Sequence, residues 1–137
     1  MSLCLDIYNI IIEYCDIYDQ LNIMSTCKIL NKNLKIKKLN NSNISDEILR
    51  QEKFIDLEEL NANNNKKIKN VNNLTKLKIL DCSYDCGIDQ EGIKDLQLIE
   101  VLYASDNKKI KNVNHLTKLK VINQCTIKDT SNKNEYL

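Results

Sequence analysis

One stretch of fourteen residues occurs twice in this 137-residue chain. Residues 65–78 read NKKIKNVNNLTKLK and residues 107–120 read NKKIKNVNHLTKLK, so thirteen of the fourteen positions are identical. The two copies start 42 residues apart, and the similarity continues upstream, where residues 60–62 correspond to residues 102–104. Such a repeat indicates units that stack on one another, because a single unit of this size cannot bury its apolar side alone.

The offset between the two copies divides into two units of about 21 residues that share one frame of apolar positions. In residue type, the frame LxxLxLxxN covers residues 57–65, 77–85 and 99–107, another copy begins at Leu119, and Ile36 marks a degraded one. This frame resembles the leucine-rich repeat, whose units have about 20–29 residues. The resemblance implies an α/β fold in which a short solenoid of about four to five units carries parallel β-strands on its concave face.

Alternation along each short strand predicts which side chains are buried. Successive residues of a strand point to opposite faces, so we expect Leu80 and Cys82 in the core and Ile79, Asp81 and Ser83 outside it. The same alternation in the other units predicts two exposed columns that run across the strands.

The asparagine that ends the frame has its own role. Asn65 and Asn107 stand where the chain leaves a strand, and an amide side chain there can satisfy backbone donors and acceptors of the turn. Asp85 replaces this asparagine in the middle unit and can only accept when ionised, so we expect a looser turn. Residues 44–48 and 88–93 place a capping residue ahead of a helical turn, which predicts that helical and extended returns alternate.

The first thirty residues have helical rather than repeat periodicity. Ile7, Ile10, Ile11 and Tyr14 fall at helical spacing, and a capping region at residues 16–19 precedes a second helix. One interpretation is a helical cap over the open end of the first repeat, because terminal units of a solenoid need such cover.

A second interpretation is that this segment resembles an F-box. Residues 3–7 (LCLDI) match the opening of the F-box pattern, residues 19–21 its acidic-leucine step and residues 27–28 its Cys-Lys end, although Cys4 stands where the family usually has proline. F-box helices dock on the adaptor subunit of cullin ubiquitin ligases. The resemblance implies contact with that adaptor through Leu3, Cys4, Ile7, Leu21, Cys27 and Lys28.

The exposed strand positions predict a protein-binding surface on the concave face. The two columns contain Glu59, Ile79, Val101 and Val121, and Asn61, Asp81, Tyr103 and Asn123. Aliphatic residues in line beside a tyrosine have the composition of a protein contact, and Tyr103 is the expected anchor. The alternative is that β-branched residues simply suit strands.

Other function classes find little support in the composition. The net charge is +1, so no global field favours nucleic acid, although Lys66, Lys67 and Lys69 match a second cluster at residues 108–111. The single histidine, His115, and the six cysteines show no catalytic or zinc-binding spacing. We therefore expect no enzyme activity, no cofactor and no metal.

The compartment and the domain boundaries follow from the same observations. A chain start without a basic leader, and without an apolar run of membrane-spanning length, predicts a cytoplasmic protein with no membrane contact. We expect a helical F-box-like segment at residues 1–34, repeats at 35–125 and a polar tail at 126–137.

Three functions are compatible with the sequence. The preferred one is substrate recruitment to a cullin ubiquitin ligase. The alternatives are a stand-alone repeat scaffold for one protein partner and, less favoured, a polyanion binder that uses the lysine clusters.

Overall fold

Five short strands form one parallel sheet whose strand order equals the order of the sequence. The computed structural model of the protein describes residues 2–26, 28–40 and 43–123. The strands are β1 (Lys38–Asn40), β2 (Glu59–Asn61), β3 (Ile79–Asp81), β4 (Val101–Tyr103) and β5 (Val121–Asn123). Neighbouring strands pair in parallel, in the order β1-β2-β3-β4-β5. The α/β class and the parallel strands predicted from the sequence are confirmed.

Three of the described helices precede the sheet in the sequence, and one follows its first strand. They are α1 (Ser2–Tyr14), α2 (Ile17–Ser25), α3 (Lys28–Asn33) and α4 (Asp46–Leu49). The corner between α1 and α2 is fixed by Asp16, whose carboxylate accepts hydrogen bonds from the backbone N–H groups of Tyr18 (2.8 Å) and Asp19 (3.0 Å). These bonds satisfy donors that the start of α2 would otherwise leave unpaired, which is the capping predicted for this region.

The connections between strands alternate in type. The connection after β1 contains α4 and a 3-10 turn at Glu52–Phe54, and the connection after β3 contains a 3-10 turn at Glu91–Ile93. The connections after β2 and β4, which contain the twin stretches 65–78 and 107–120, have no helix in the part of the chain that the structure describes. The alternation predicted from the capping residues is therefore present.

The twin stretches adopt the same conformation, turn for turn. Backbone hydrogen bonds span three residues in both, from the N–H of Leu74 to the carbonyl of Val71 and from Leu116 to Val113, each at 2.9 Å. A turn of this kind brings every third side chain to the same side. The apolar residues at spacing three, among them Ile68 and Ile110, are accordingly buried.

One buried core runs from the helices through the sheet. It includes Ile12 and Met24 of α1 and α2, the central residues of β1 to β4, and the turn residues as far as Leu116. Ser83 is also buried, at 4% exposure, and the prediction that it faces outward was wrong. Strand β3 ends at Asp81, so the strict alternation of a strand no longer applies at Ser83.

The frame asparagines bond to the backbone as expected. Asn107 is 1% exposed; its amide nitrogen donates to the carbonyls of Cys82 (2.8 Å) and Ile88 (3.1 Å), and its oxygen accepts from the N–H of Lys109 (3.1 Å). Asn65, also 1% exposed, donates to the carbonyl of Ile44 (2.8 Å) and accepts from the N–H of Lys67 (2.8 Å). Each amide thus ties its own turn to the preceding unit.

The middle unit replaces this arrangement with a different one. The Asp85 side chain is exposed and forms an ion pair with Lys66 at 3.0 Å, while Cys86 is buried in its stead. Strand β3 starts 22 residues before β4, whereas β2 starts 20 residues before β3. In this longer unit Cys86, and not Asp85, takes the buried position. The looser turn expected from the acceptor-only side chain of Asp85 stays a prediction.

Candidate protein-binding groove

The first and third residues of each strand lie on the face of the sheet opposite the core, which we call the open face. The pairing register aligns these residues into two columns across the sheet. One column contains Lys38, Glu59, Ile79, Val101 and Val121, and the other contains Asn40, Asn61, Asp81, Tyr103 and Asn123. The predicted columns are thus in register, and the described chain adds Lys38 and Asn40 to them.

The open face is partly accessible along its whole length. Glu59, Asn61, Ile79, Asp81 and Val101 are half-buried. Tyr103 is 38% and Val121 44% exposed, and Asn123 is exposed as well. The apolar residues of the columns therefore remain available to a partner.

The corner between α1 and α2 forms a groove with the open face. The groove has a volume of about 520 Å³. One wall is lined by residues of the helical corner, namely Glu13, Cys15, Asp16, Ile17 and Gln20. The other wall is lined by strand residues, namely Lys38, Leu39, Asn40, Glu59, Leu60, Asn61, Ile79, Asp81 and Tyr103. A concave site that combines apolar and polar groups in this way is the usual setting for a ligand or a peptide side chain.

Acidic groups dominate the charge of the groove. Among the residues that the structure describes, four carboxylates line it, those of Glu13, Asp16, Glu59 and Asp81, against the ammonium group of Lys38. The ammonium of Lys38 lies 2.9 Å from the Glu59 carboxylate. The hydrogen bond from this carboxylate raises the pKa of Lys38, and the negative charge of Glu13 acts in the same direction. Lys38 and Glu59 neutralise each other, so carboxylates are in excess among the described residues that line the groove.

Gln20 is the buried polar side chain of the groove wall. It is 5% exposed, and its amide nitrogen donates to the carbonyl of Cys15 at 2.8 Å. This bond sets the orientation of the amide, because a carbonyl can only accept. Among the residues that the structure describes, Oε1 of Gln20 has no hydrogen-bond partner. A buried acceptor in this state is rare and costly in a native protein.

The residues predicted from the F-box resemblance are described only in part. Ile7 is 49% exposed on α1, and Leu21 of α2 is half-buried against the protein's own core. Cys27 lies outside the described residues. Leu3, Cys4 and Lys28 belong to helices, but their side chains lie outside the described part of the chain.

An apolar stripe on the helical corner extends the exposed surface of Ile7. Its members are Ile7, Ile10, Ile11 and Tyr14 of α1 and Tyr18 of α2, which are between 42% and 87% exposed. Their spacing on α1 is that of one helix face. Contiguous apolar surface of this kind is typical of a protein interaction site.

Three lysines of the two clusters bond to other groups of the molecule. Lys66 pairs with Asp85, Lys67 donates to the side chain of Asn43 at 3.3 Å, and Lys109 donates to the carbonyl of Cys86 at 2.7 Å. These contacts occupy three of the cluster lysines with acceptors of the protein itself.

His115 and the buried cysteines, Cys82 and Cys86, lie in environments that are typical of structural rather than reactive residues. Nε2 of His115 lies 3.1 Å from the carbonyl of Ile93, and Asn73, its counterpart in the twin stretch, donates to the carbonyl of Leu49 at 3.1 Å. Burial raises the pKa of the Cys82 thiol and of the Cys86 thiol. No group of three potential metal ligands occurs among the described residues.

Comparison with known proteins gives no match: no family model, curated protein or solved structure is significantly similar to the chain. No described helix has the length and apolar character that crossing a membrane requires.

Proposed function

We propose that this chain is a short leucine-rich-repeat solenoid that binds a protein partner on its concave face, which corresponds to the open face of the sheet. The in-register columns support this proposal most directly, because they place Ile79, Val101 and Tyr103 side by side on accessible surface. The groove beside these residues combines polar and charged groups with apolar ones. That distribution is the one found in protein interfaces.

The open-face proposal is tested by partner capture. The tagged full chain is used to isolate binding proteins, which are then identified by mass spectrometry. Tyr103→Asp introduces a charge at the expected anchor and should reduce capture at least about tenfold, because aromatic anchors contribute most to such interfaces. Tyr84→Asn is the matched control, since Tyr84 is another exposed tyrosine that does not line the groove. Equal capture by the Tyr103 variant, the Tyr84 variant and the unmodified chain contradicts the proposal.

We further propose that the helical corner is an F-box-like segment that links the chain to a cullin ubiquitin ligase. The sequence resemblance and the exposed stripe around Ile7 and Ile11 support this link. The residues of the stripe do not line the groove, so the two proposed surfaces have no residue in common. One chain could therefore hold both partners at the same time, as recruitment of a substrate requires.

The ligase link is tested by a pull-down with the purified ligase adaptor. Ile7→Asp and Ile11→Asp place a charge within the stripe and should abolish adaptor binding, since an unpaired charge in an apolar interface is strongly unfavourable. Asn22→Asp adds the same charge at another exposed position of the helical corner and should bind normally. If the unmodified chain does not bind the adaptor, the chain is a repeat scaffold without a ligase link.

A further inference from the structure

The charge of the groove restricts the chemistry of its occupant. Once Lys38 and Glu59 are paired, the carboxylates of Glu13 and Asp81 remain along the two walls, together with that of Asp16, which also caps α2. An acidic or neutral segment would leave these carboxylates without a counter-charge after water is displaced, which is costly. A positively charged group is therefore the complementary occupant.

A metal ion does not match the distribution of these carboxylates. In the described part of the chain, no three acidic, cysteine or histidine side chains gather closely enough to hold a metal. Separated carboxylates match a larger cation that donates several hydrogen bonds in different directions. The ammonium group of lysine and the guanidinium group of arginine are such donors.

Gln20 gives a second indication that the occupant is a donor. Its side chain lines the groove and is buried, and its amide nitrogen already bonds to the carbonyl of Cys15. The group that lacks a partner is therefore the oxygen Oε1, which can only accept. An N–H donor that reached this buried oxygen would satisfy it, whereas a carboxylate or a carbonyl could not.

The strand wall accommodates the apolar part of such a side chain. Ile79 and the exposed ring of Tyr103 line the groove beside Asp81. Lysine and arginine lay their aliphatic stems along apolar surface while the charged end reaches polar groups. An aromatic ring adds a favourable cation–π contact where the charge comes close to its face.

We infer that the groove receives a lysine or arginine side chain of the protein partner, with the carboxylate of Asp81 and Oε1 of Gln20 as its acceptors. This inference rests on the proposed function and names the chemistry of the partner at the open face. It predicts that the bound segment is basic and that its cationic side chain lies between the helical corner and β3.

Titration with small probes tests the inference on the full chain. The probes are N-acetyl-arginine amide, N-acetyl-lysine amide and the uncharged N-acetyl-norleucine amide, and backbone NMR shifts of the labelled protein report binding. The two cationic probes should shift signals of Gln20, Asp81 and Tyr103 and bind at least about tenfold more tightly than the norleucine probe. Their binding should also weaken as salt is added. Equal affinity of the three probes, or no shifts at groove residues, overturns the inference.

Substitutions of groove residues test where the cationic probe binds. Asp81→Asn keeps the size of the side chain and an oxygen for the N–H of Ser83, and it should weaken binding of the arginine probe about tenfold. Gln20→Met removes the unpartnered oxygen and should also weaken binding, while thermal unfolding shows that the fold persists. Asp85→Asn is the matched control, because Asp85 is an exposed carboxylate that does not line the groove. Equal effects of Asp81→Asn and Asp85→Asn contradict the inference.

The captured partner separates this inference from the proposed function. If Tyr103→Asp abolishes capture and Asp81→Asn does not, the open face binds protein but the cation site is wrong. If neither variant changes capture, the open face itself is not the binding surface, and both proposals fail.

Discussion

At the scale of single residues, buried amides join one unit to the next. Asn65 and Asn107 each bond to the backbone of the preceding unit, at the same position of the repeat frame. This role was predictable because the position is set by a local frame. The burial of Cys86 instead of Asp85 was not predictable, since it depends on the total length of the unit rather than on either residue alone.

Replacing Asn107 by alanine should destabilise the protein by about 2–4 kcal/mol, because two buried carbonyls and one N–H lose their partner. Urea unfolding measures the loss. Asn65→Ala is the comparison variant and should cost less, since among the described residues Asn65 bonds to one carbonyl and one N–H. A smaller cost for Asn107 than for Asn65 would show that these bonds do not determine the stability of the turns.

Three residues adopt left-handed backbone conformations at corresponding positions after β2, β3 and β4. They are Asn64 (φ 56°), Tyr84 (φ 57°) and Asp106 (φ 59°). Asparagine and aspartate tolerate this conformation, whereas a tyrosine at such a position is strained.

Exchange of Tyr84 for asparagine should therefore stabilise the protein by about 0.5–1 kcal/mol. The tyrosine side chain is half exposed, so the substitution removes little buried surface. Thermal unfolding provides the measurement, with Tyr18→Asn as an exposed control. A lower melting temperature for the Tyr84 variant would mean that contacts of the ring outweigh the backbone strain.

At the scale of elements, the helical and extended returns lie in very close contact. The backbone of Gly92 in the second 3-10 turn approaches the twin stretch at Lys69, whose carbonyl would touch any added Cβ atom. The carbonyl of Gly92 also accepts from the N–H of Val71 at 3.0 Å. The sequence indicated a helical turn at this position, but the close approach depends on the packing of two returns and is not visible in either segment alone.

Gly92→Ala should cost about 1–3 kcal/mol, because the added Cβ atom would collide with the backbone carbonyl of Lys69 and the backbone would have to shift. Lys94→Ala is the control in the same region, since Lys94 is exposed and loses a surface ion pair with Glu91. Chemical denaturation of both variants measures the difference. If the two substitutions cost the same, the contact between the returns is looser than the structure indicates.

At the scale of the whole molecule, the residues that directly precede the five strands alternate in charge across the sheet. The column reads Lys37, Glu58, Lys78, Glu100 and Lys120. Ion pairs join Lys78 to Glu58 at 2.6 Å and Lys120 to Glu100 at 2.7 Å. Hydrogen bonds from the lysines lower the pKa of Glu58 and the pKa of Glu100.

The stability of the protein should decrease in acid for this reason. An unfolded glutamate has a pKa of about 4.3, and the folded values lie lower, so the unfolded chain binds more protons as the pH falls through this range. The stabilisation is therefore complete above the unfolded pKa and disappears below the folded one. Urea midpoints measured between pH values of about 6 and 3 should fall less steeply in a Glu58→Gln, Glu100→Gln double variant. Identical slopes for the variant and the unmodified protein would contradict the role of the column.

The groove shows the limit of sequence analysis at this scale. The strand wall followed from the repeat frame, and the register aligned its columns as expected. The helical wall, which includes Gln20, was missed because helical periodicity shows which side of a helix is apolar but not where the helix lies against distant strands. The acidic charge of residues 1–30 was the available signal, since it favours surface that complements a basic group.

The identical conformation of the twin stretches has a consequence for growth of the molecule. A duplicate of residues 79–120 inserted after Lys120 would meet its neighbours through peptide junctions that resemble native ones, because a strand already follows each twin stretch. Each inserted unit would stack against a unit of the same type as the one that its original contacts in the present chain. Gene duplication could thus lengthen the sheet by two strands at its far end while leaving the groove unchanged.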